Sequence, residues 1–227
     1  MRPVAIAGDL HLLIKGAWSG WLSRRLLHQL AKPAFALLAL LPFAWLVFAA
    51  MADRLGANPA EALVRQSGDW TLRFLCLVLT ITPLRVITAT PALARFRRMA
   101  GLFVYFYACI HMLSYAWFDM GLDFSDTVRD IVKRPFILVG FLALLLLSLL
   151  ALTSFNGAIR RLGAKRWQTL HKAVYLVAGL AVLHFFWMRS GKNDYADVFV
   201  YGAILVLLLG WRVLQALNKR RRAGTSA

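Results

Sequence analysis

The chain has 227 residues, 60% of them hydrophobic and only 16% charged, with a mean hydropathy of +0.64; soluble globular proteins carry about 25% charged residues. That balance excludes a disordered chain and argues against a soluble enzyme. The net charge of +17, from 27 Lys and Arg against 10 Asp and Glu, would suit a nucleic-acid binder only if the bases shared one continuous face; here long apolar stretches cut them into short groups.

Residues 1–32 mix Leu10, Leu12, Leu13, Trp18, Trp21, Leu22, Leu26 and Leu27 with Lys15, Arg24 and Arg25. This reads as a cytoplasmic amphipathic segment lying on an anionic lipid surface. A cleaved signal peptide would need a small-residue cleavage site after a compact apolar core. Six apolar stretches follow, at 33–51, 70–90, 99–118, 135–155, 170–188 and 198–217. Each approaches the ~20 residues that cross a bilayer as a helix, and none alternates as a barrel strand would. The expected fold is an all-α integral membrane protein, a six-helix transmembrane bundle over 33–217 followed by a basic tail at 218–227. Cys76 and Cys109 both lie inside apolar runs, so neither a disulfide framework nor a tetrahedral metal site is expected.

Charge placement orients the bundle. The N-terminal segment, the 85–98 turn, the 156–172 region and the C-terminal end hold 19 bases and one acid, Asp9, whereas the other three connections hold 7 bases and 9 acids. The positive-inside rule then puts both termini in the cytoplasm, and an even number of spans agrees. Arg160, Arg161, Lys165 and Arg166 belong to this positive-inside set. Asp119, Asp123, Asp126 and Asp130 form an outer acidic loop, either solvated or a docking surface for a redox partner. Thr82-Pro83-Leu84-Arg85 is expected to end the second span, with Pro83 kinking it.

Histidines inside spans are costly and face a cavity, a partner or a cofactor. His111 lies 12 residues into the third span and His184 14 residues into the fifth. Both spans run outward, so at 1.5 Å per residue each imidazole sits about 18–21 Å from the cytoplasmic edge. Two imidazoles at one level suit the axial positions of a b-type haem held between facing helices. His171 lies 13 residues before His184, roughly 20 Å nearer the cytoplasm, at the level of a second haem. Its counterpart on the third span falls at Arg97 or Arg98, and arginine, always protonated, is a poor iron ligand. Arg97 and Arg85 are instead candidates for haem propionates. On an ideal helix His171 and His184 point about 140° apart, so a tilt or bend is expected, with Gly179 a place for it. Small residues near the histidines (Gly101, Ala108, Ala178, Gly179 and Ala181) allow a flat macrocycle to approach or helices to pack closely. Interhelical hydrogen bonding, or a histidine relay in a proton channel or transporter, is the alternative reading of the same residues; transporter folds usually carry repeated halves or broken helices, which are not evident.

The segments Leu55-Gly56-Ala57-Asn58-Pro59, Thr80-Ile81-Thr82-Pro83-Leu84-Arg85, His111-Met112-Leu113-Ser114-Tyr115, Lys133-Arg134-Pro135-Phe136, Arg166-Trp167-Gln168-Thr169-Leu170-His171 and His184-Phe185-Phe186-Trp187 together resemble the MsrQ family. More broadly the spans resemble the ferric reductase-like transmembrane domain shared with NADPH oxidases. The first resemblance implies a multi-pass protein of the bacterial inner membrane that passes electrons through haem b, one or two groups. The donor it implies is the quinone pool or a cytoplasmic flavin reductase. The implied acceptor is a periplasmic molybdopterin-containing, MsrP-like reductase that repairs methionine sulfoxide; FMN binding also comes with the resemblance. The sulfoxide chemistry would lie in the partner. NADPH oxidase-like relatives carry two histidines on each of two helices; His171, His184 and His111 match, and Arg97 stands where the fourth would be. Their flavin domain has no counterpart in the short tail, so a separate donor is expected. A haem conduit to another acceptor, such as ferric iron, remains the nearest alternative.

Overall fold

The computed structural model describes residues 20–191 and 193–224; most of the proposed interfacial segment, with His11 and Trp18, lies outside these. Helix makes up 86% of the structure, no strand occurs among the described residues, and six helices are long and apolar enough to cross a bilayer. Residues 20–27 are helical and lead into α1, Ala31–Met51. Uncharged beyond Lys32 in its first turn, α1 buries Ala39, Leu46 and Ala49 against its neighbours and exposes Leu37, Leu38, Leu41 and Trp45. In a bilayer such a face meets acyl chains rather than water, and packing within the bundle comes from close contact and hydrogen bonding.

Helix α2, Pro59–Ile87, begins eleven residues before the apolar run suggested. The Asn58 side chain accepts from the Glu61 N–H (3.1 Å), and Pro59 opens the helix where its missing N–H costs nothing. The Asn58-Pro59 pair is thus a helix cap, and the polar stretch behind it is helical. At the far end Pro83 lies inside α2, which continues to Ile87 instead of stopping at Arg85.

A 3₁₀ turn at Pro91–Phe96 enters α3, Arg97–Phe118. The outer acidic loop expected at 119–134 is in fact mostly helix, α4, Phe124–Lys133. Asp123 caps it by accepting from Asp126 N–H (2.9 Å), Thr127 and Ile131 turn inward, and Phe124, Val128 and Val132 are exposed at i, i+4, i+8 spacing. Helix α5, Pro135–Leu152, starts at once. Two short helices, α6 (Asn156–Leu162) and α7 (Ala164–Leu170), are separated by Gly163 at φ 74°, a left-handed value that glycine adopts freely. A 3₁₀ turn at His171–Ala173 then leads into α8, Val174–Ser190, and α9, Ala196–Gly224, closes the bundle. α9 carries helix well into the stretch expected to be a tail.

The bundle is built on two antiparallel pairs, α2 with α3 and α5 with α8, joined by α3 against α5 and by α9 against both α2 and α8. Its centre holds Leu72, Leu75, Leu79, Val104, Val177, Ala178 and Leu205, with Tyr107 fully buried. Phe74 stacks on Tyr107 at 5.2 Å between ring centres and on Phe103 at 5.6 Å. Backbone polar groups released by Pro42 in α1 are met from outside the helix. The Tyr107 hydroxyl donates to Ala39 O (2.7 Å) and accepts from Phe43 N–H (3.1 Å), so one side chain serves backbone groups on both sides of Pro42. Such substitution by a neighbouring helix is how membrane helices tolerate proline.

Candidate functional site

His111 projects from the middle of α3 and His184 from α8, and their ring centres lie 6.1 Å apart with planes at 77°. Each Nδ1 is held by a backbone carbonyl of the neighbouring helix: His111 by Val64 O on α2 (2.8 Å), and His184 by Phe136 O on α5 (2.7 Å). A carbonyl oxygen only accepts, so both Nδ1 atoms carry the proton. The neutral tautomer that results leaves each Nε2 with a free lone pair. Two facing imidazoles with their second nitrogens fixed in this way form a ligand pair for a metal between two helices. Among the described residues no group of three or more His, Cys, Asp or Glu stands together. The pair therefore suits a metal that brings its other ligands with it, rather than a bare ion.

Toward the basic end of the bundle, α2, α3, α5, α7, α8 and α9 enclose a cavity of about 520 Å³. Its deep wall is apolar, from Leu75, Val78, Val104 and Leu147. Its other wall carries Arg85, Arg97, Arg98, Lys172 and Arg212, with no carboxylate among the described residues that line it. His171 lines it as well, with its ring stacked on Trp167 (4.0 Å) and its Nε2 3.2 Å from Thr153 Oγ1. Trp167 Nε1 in turn donates to Thr153 O (2.8 Å). Arg212 crosses from α9 to donate to Tyr175 Oη and to Leu79 O, both at 2.7 Å, while its Nε is buried without a partner. Cations of this number around an apolar slot make a seat for an amphipathic anion.

At the acidic end, Tyr115, one turn beyond His111, donates to Asp130 on α4, and Arg134 Nε donates to the other carboxylate oxygen (2.6 Å). Burial pushes the Asp130 carboxyl up, but those two hydrogen bonds and the Arg134 charge outweigh it and hold the group below the usual carboxylate value. Burial raises Asp119, with Arg134 opposing and Asp130 adding to the rise. Arg189, buried at the end of α8, pairs with Asp194 (2.8 Å) and Asp197 (3.4 Å) and pins the connection to α9.

Of the residues singled out from the sequence, His111 and His184 come together, and His171, Arg97 and Arg85 share the basic-end cavity. Gly179 is exposed on α8, and nothing lies within 4 Å of a Cβ added there. The segment between the two histidines does include the 3₁₀ turn His171–Ala173. Three residues at 120° rather than 100° add about 60° and reduce the 140° offset between the two histidines to about 80°. Asp123 and Asp130, read as loop charges, cap α4 and tie it to α3. Arg212 and Tyr175 were passed over; the signal for Arg212 was its place as the lone charge within the last apolar stretch. The Val64 and Phe136 carbonyls carry no side-chain signature at all.

Residues 67–182 match the family model for the ferric reductase like transmembrane component. This range holds His111 and His171 and stops just short of His184. The chain is 66% identical to the protein-methionine-sulfoxide reductase heme-binding subunit MsrQ of Polaromonas naphthalenivorans over 206 residues, covering 91% of this chain and 94% of that one. Subunits with the same name from Herminiimonas arsenicoxydans (49% identical; 87% and 92% covered) and Bordetella pertussis (50% identical; 85% and 93% covered) are also similar. No solved structure matches the chain.

Proposed function

The chain belongs to the MsrQ family within the ferric reductase-like transmembrane proteins, and from that premise we propose that it carries electrons across the bacterial inner membrane through haem b. The observation that supports this most is the His111–His184 pair. Imidazole nitrogens bind a metal at about 2 Å, so two imidazoles that would share one iron need ring centres about 6 Å apart. The 6.1 Å separation fits that arrangement, with both Nδ1 protons already committed to carbonyls. Haem supplies four ligands of its own and, when bound, supplies one-electron redox chemistry.

His111 and His184 hold the iron, and the carbonyls of Val64 and Phe136 fix their tautomer and make them stronger donors. Surrounding apolar side chains keep water out. In the basic-end cavity, His171 offers one nitrogen to a second haem, and Arg85, Arg97, Arg98, Lys172 and Arg212 neutralise its propionates. Among the described residues that line it, His171 stands without a second histidine. With both termini in the cytoplasm, as the charge asymmetry favours, this cavity is the electron entry and the His111–His184 level the exit. The donor is the quinone pool or a cytoplasmic flavin reductase. The acceptor is a periplasmic, MsrP-like molybdopterin reductase that repairs methionine sulfoxide. FMN is carried to this chain only by the family. An absorption spectrum of the purified protein tests the reading. Separate α and β bands on dithionite reduction are expected; their absence would return the histidines to a proton relay.

A further inference from the structure

His111 and His184 are seated in the same way, and each seat contains a glycine. The carbonyl that holds His111 belongs to Val64, four residues before Gly68; the carbonyl that holds His184 belongs to Phe136, four residues before Gly140. Each imidazole lies across the turn of helix between its carbonyl acceptor and that glycine. A Cβ on Gly68 would stand 3.1 Å from both Cε1 and Nδ1 of His111. A Cβ on Gly140 would stand 2.8 Å from Nδ1 and 2.9 Å from Cε1 of His184. Carbon atoms in favourable contact stay about 3.5–4.0 Å apart, so neither ring could keep its place above an alanine. In the spanning helices Gly101, Gly179, Gly202 and Gly210 have nothing within 4 Å of an added Cβ.

We propose that Gly68 and Gly140 are positioning residues for the two iron-binding imidazoles, one in each antiparallel helix pair, and that they set the ligand geometry and redox potential of the shared haem. The proposal rests on the reading of His111 and His184 as haem ligands. A bare glycine lets the ring lie against the neighbouring backbone, where Nδ1 reaches the carbonyl. An added methyl pushes the ring away, lengthens or breaks the Nδ1–H···O=C bond, and weakens the imidazole as a donor to iron. The weaker donor stabilises ferric iron less, so the midpoint potential rises. The two seats are unequal, because the approach at Gly140 is closer than the approach at Gly68.

The test compares purified wild type, Gly140→Ala, Gly68→Ala and the control Gly202→Ala by haem content per protein, midpoint potential, ferric EPR and far-UV circular dichroism. Gly140→Ala is expected to lose haem several-fold, with any remaining haem shifted to a more positive potential and an altered EPR signal. Gly68→Ala is expected to keep more haem and to show a smaller positive shift, and Gly202→Ala to match wild type. Gly140→Ala or Gly68→Ala with wild-type haem content, potential and EPR signal would overturn the proposal. If Gly140→Ala does not fold, Gly68→Ala decides on the same readouts. A wild-type protein without low-spin haem would overturn the underlying ligand reading instead.

Discussion

Tyr115 on α3 and Asp130 on α4 share a 2.5 Å hydrogen bond at the acidic end of the bundle, one turn beyond His111. Arg134, which opens α5, holds the second carboxylate oxygen, and Phe136, whose carbonyl orients His184, follows two residues later. One carboxylate therefore links the helix of one proposed ligand to the helix that seats the other. Its native value lies below the ordinary one, because the bonds from Tyr115 and Arg134 exceed the opposing burial. The sign follows from linkage. The contribution of Asp130 to stability is fully present above the unfolded carboxylate value and is lost as pH falls through the lower native one. Wild type in detergent is expected to unfold at progressively lower temperature as acid is added in that window, and Asp130→Asn to show a flatter profile. Equal slopes for the two proteins would rule out this role.

His111→Ala and His184→Ala are each expected to remove the same haem, since losing either ring leaves the iron with one protein ligand. Helix content should be retained. His171→Ala should leave that haem in place, because it lines a separate cavity. Pyridine haemochrome content and reduced spectra of the three variants are the measurement. Full low-spin haem in His111→Ala or His184→Ala would disprove the pairing.

The spans and the matching levels of His111 and His184 were readable because uncharged runs of membrane length are rare and an ionisable side chain within one stands out. Depth then follows from a fixed rise per residue. What escaped was carried by backbone. The Val64 and Phe136 carbonyls have no side-chain signal, and the glycines facing them look like any others in a membrane helix. The polar stretch 59–69 hid the start of α2, although Asn58-Pro59 is a cap signal that hydropathy alone overlooks. Four aspartates made 119–134 look like loop, yet Thr127 and Ile131 at helical spacing mark the buried side of α4. The 3₁₀ turn at His171–Ala173, which brings the two histidines of that segment closer in azimuth, has no local sequence mark.

Tyr107→Phe tests the polar plug in α1. The variant keeps the ring that stacks on Phe74 but leaves Ala39 O and Phe43 N–H without the hydroxyl that serves both. Buried groups left unsatisfied cost about 1–3 kcal/mol, while interhelical hydrogen bonds in membranes average about 0.6 kcal/mol, since unfolded helices also find partners. A loss of about 1 kcal/mol is expected in denaturant unfolding from micelles, with haem content unchanged. A variant as stable as wild type would mean that α1 closes its own rung at Pro42.

Arg97→His asks whether the basic-end cavity lacks one iron ligand. Arg97 and His171 line the same cavity from α3 and from the 3₁₀ turn before α8, and arginine does not bind iron because it stays protonated. A haem held there by His171 alone would keep one iron position open to carbon monoxide, whereas a haem held by both His111 and His184 would keep none. Reduced wild type is therefore expected to bind carbon monoxide at only a fraction of its haem. Arg97→His supplies the second imidazole and should abolish that fraction, and His171→Ala should abolish it by losing the haem. Arg97→Gln, which removes a cation without adding a ligand, should keep carbon monoxide binding in whatever haem it retains and hold that haem more weakly. Carbon monoxide binding that is unchanged in both Arg97→His and His171→Ala would place the open position elsewhere and remove His171 from the iron.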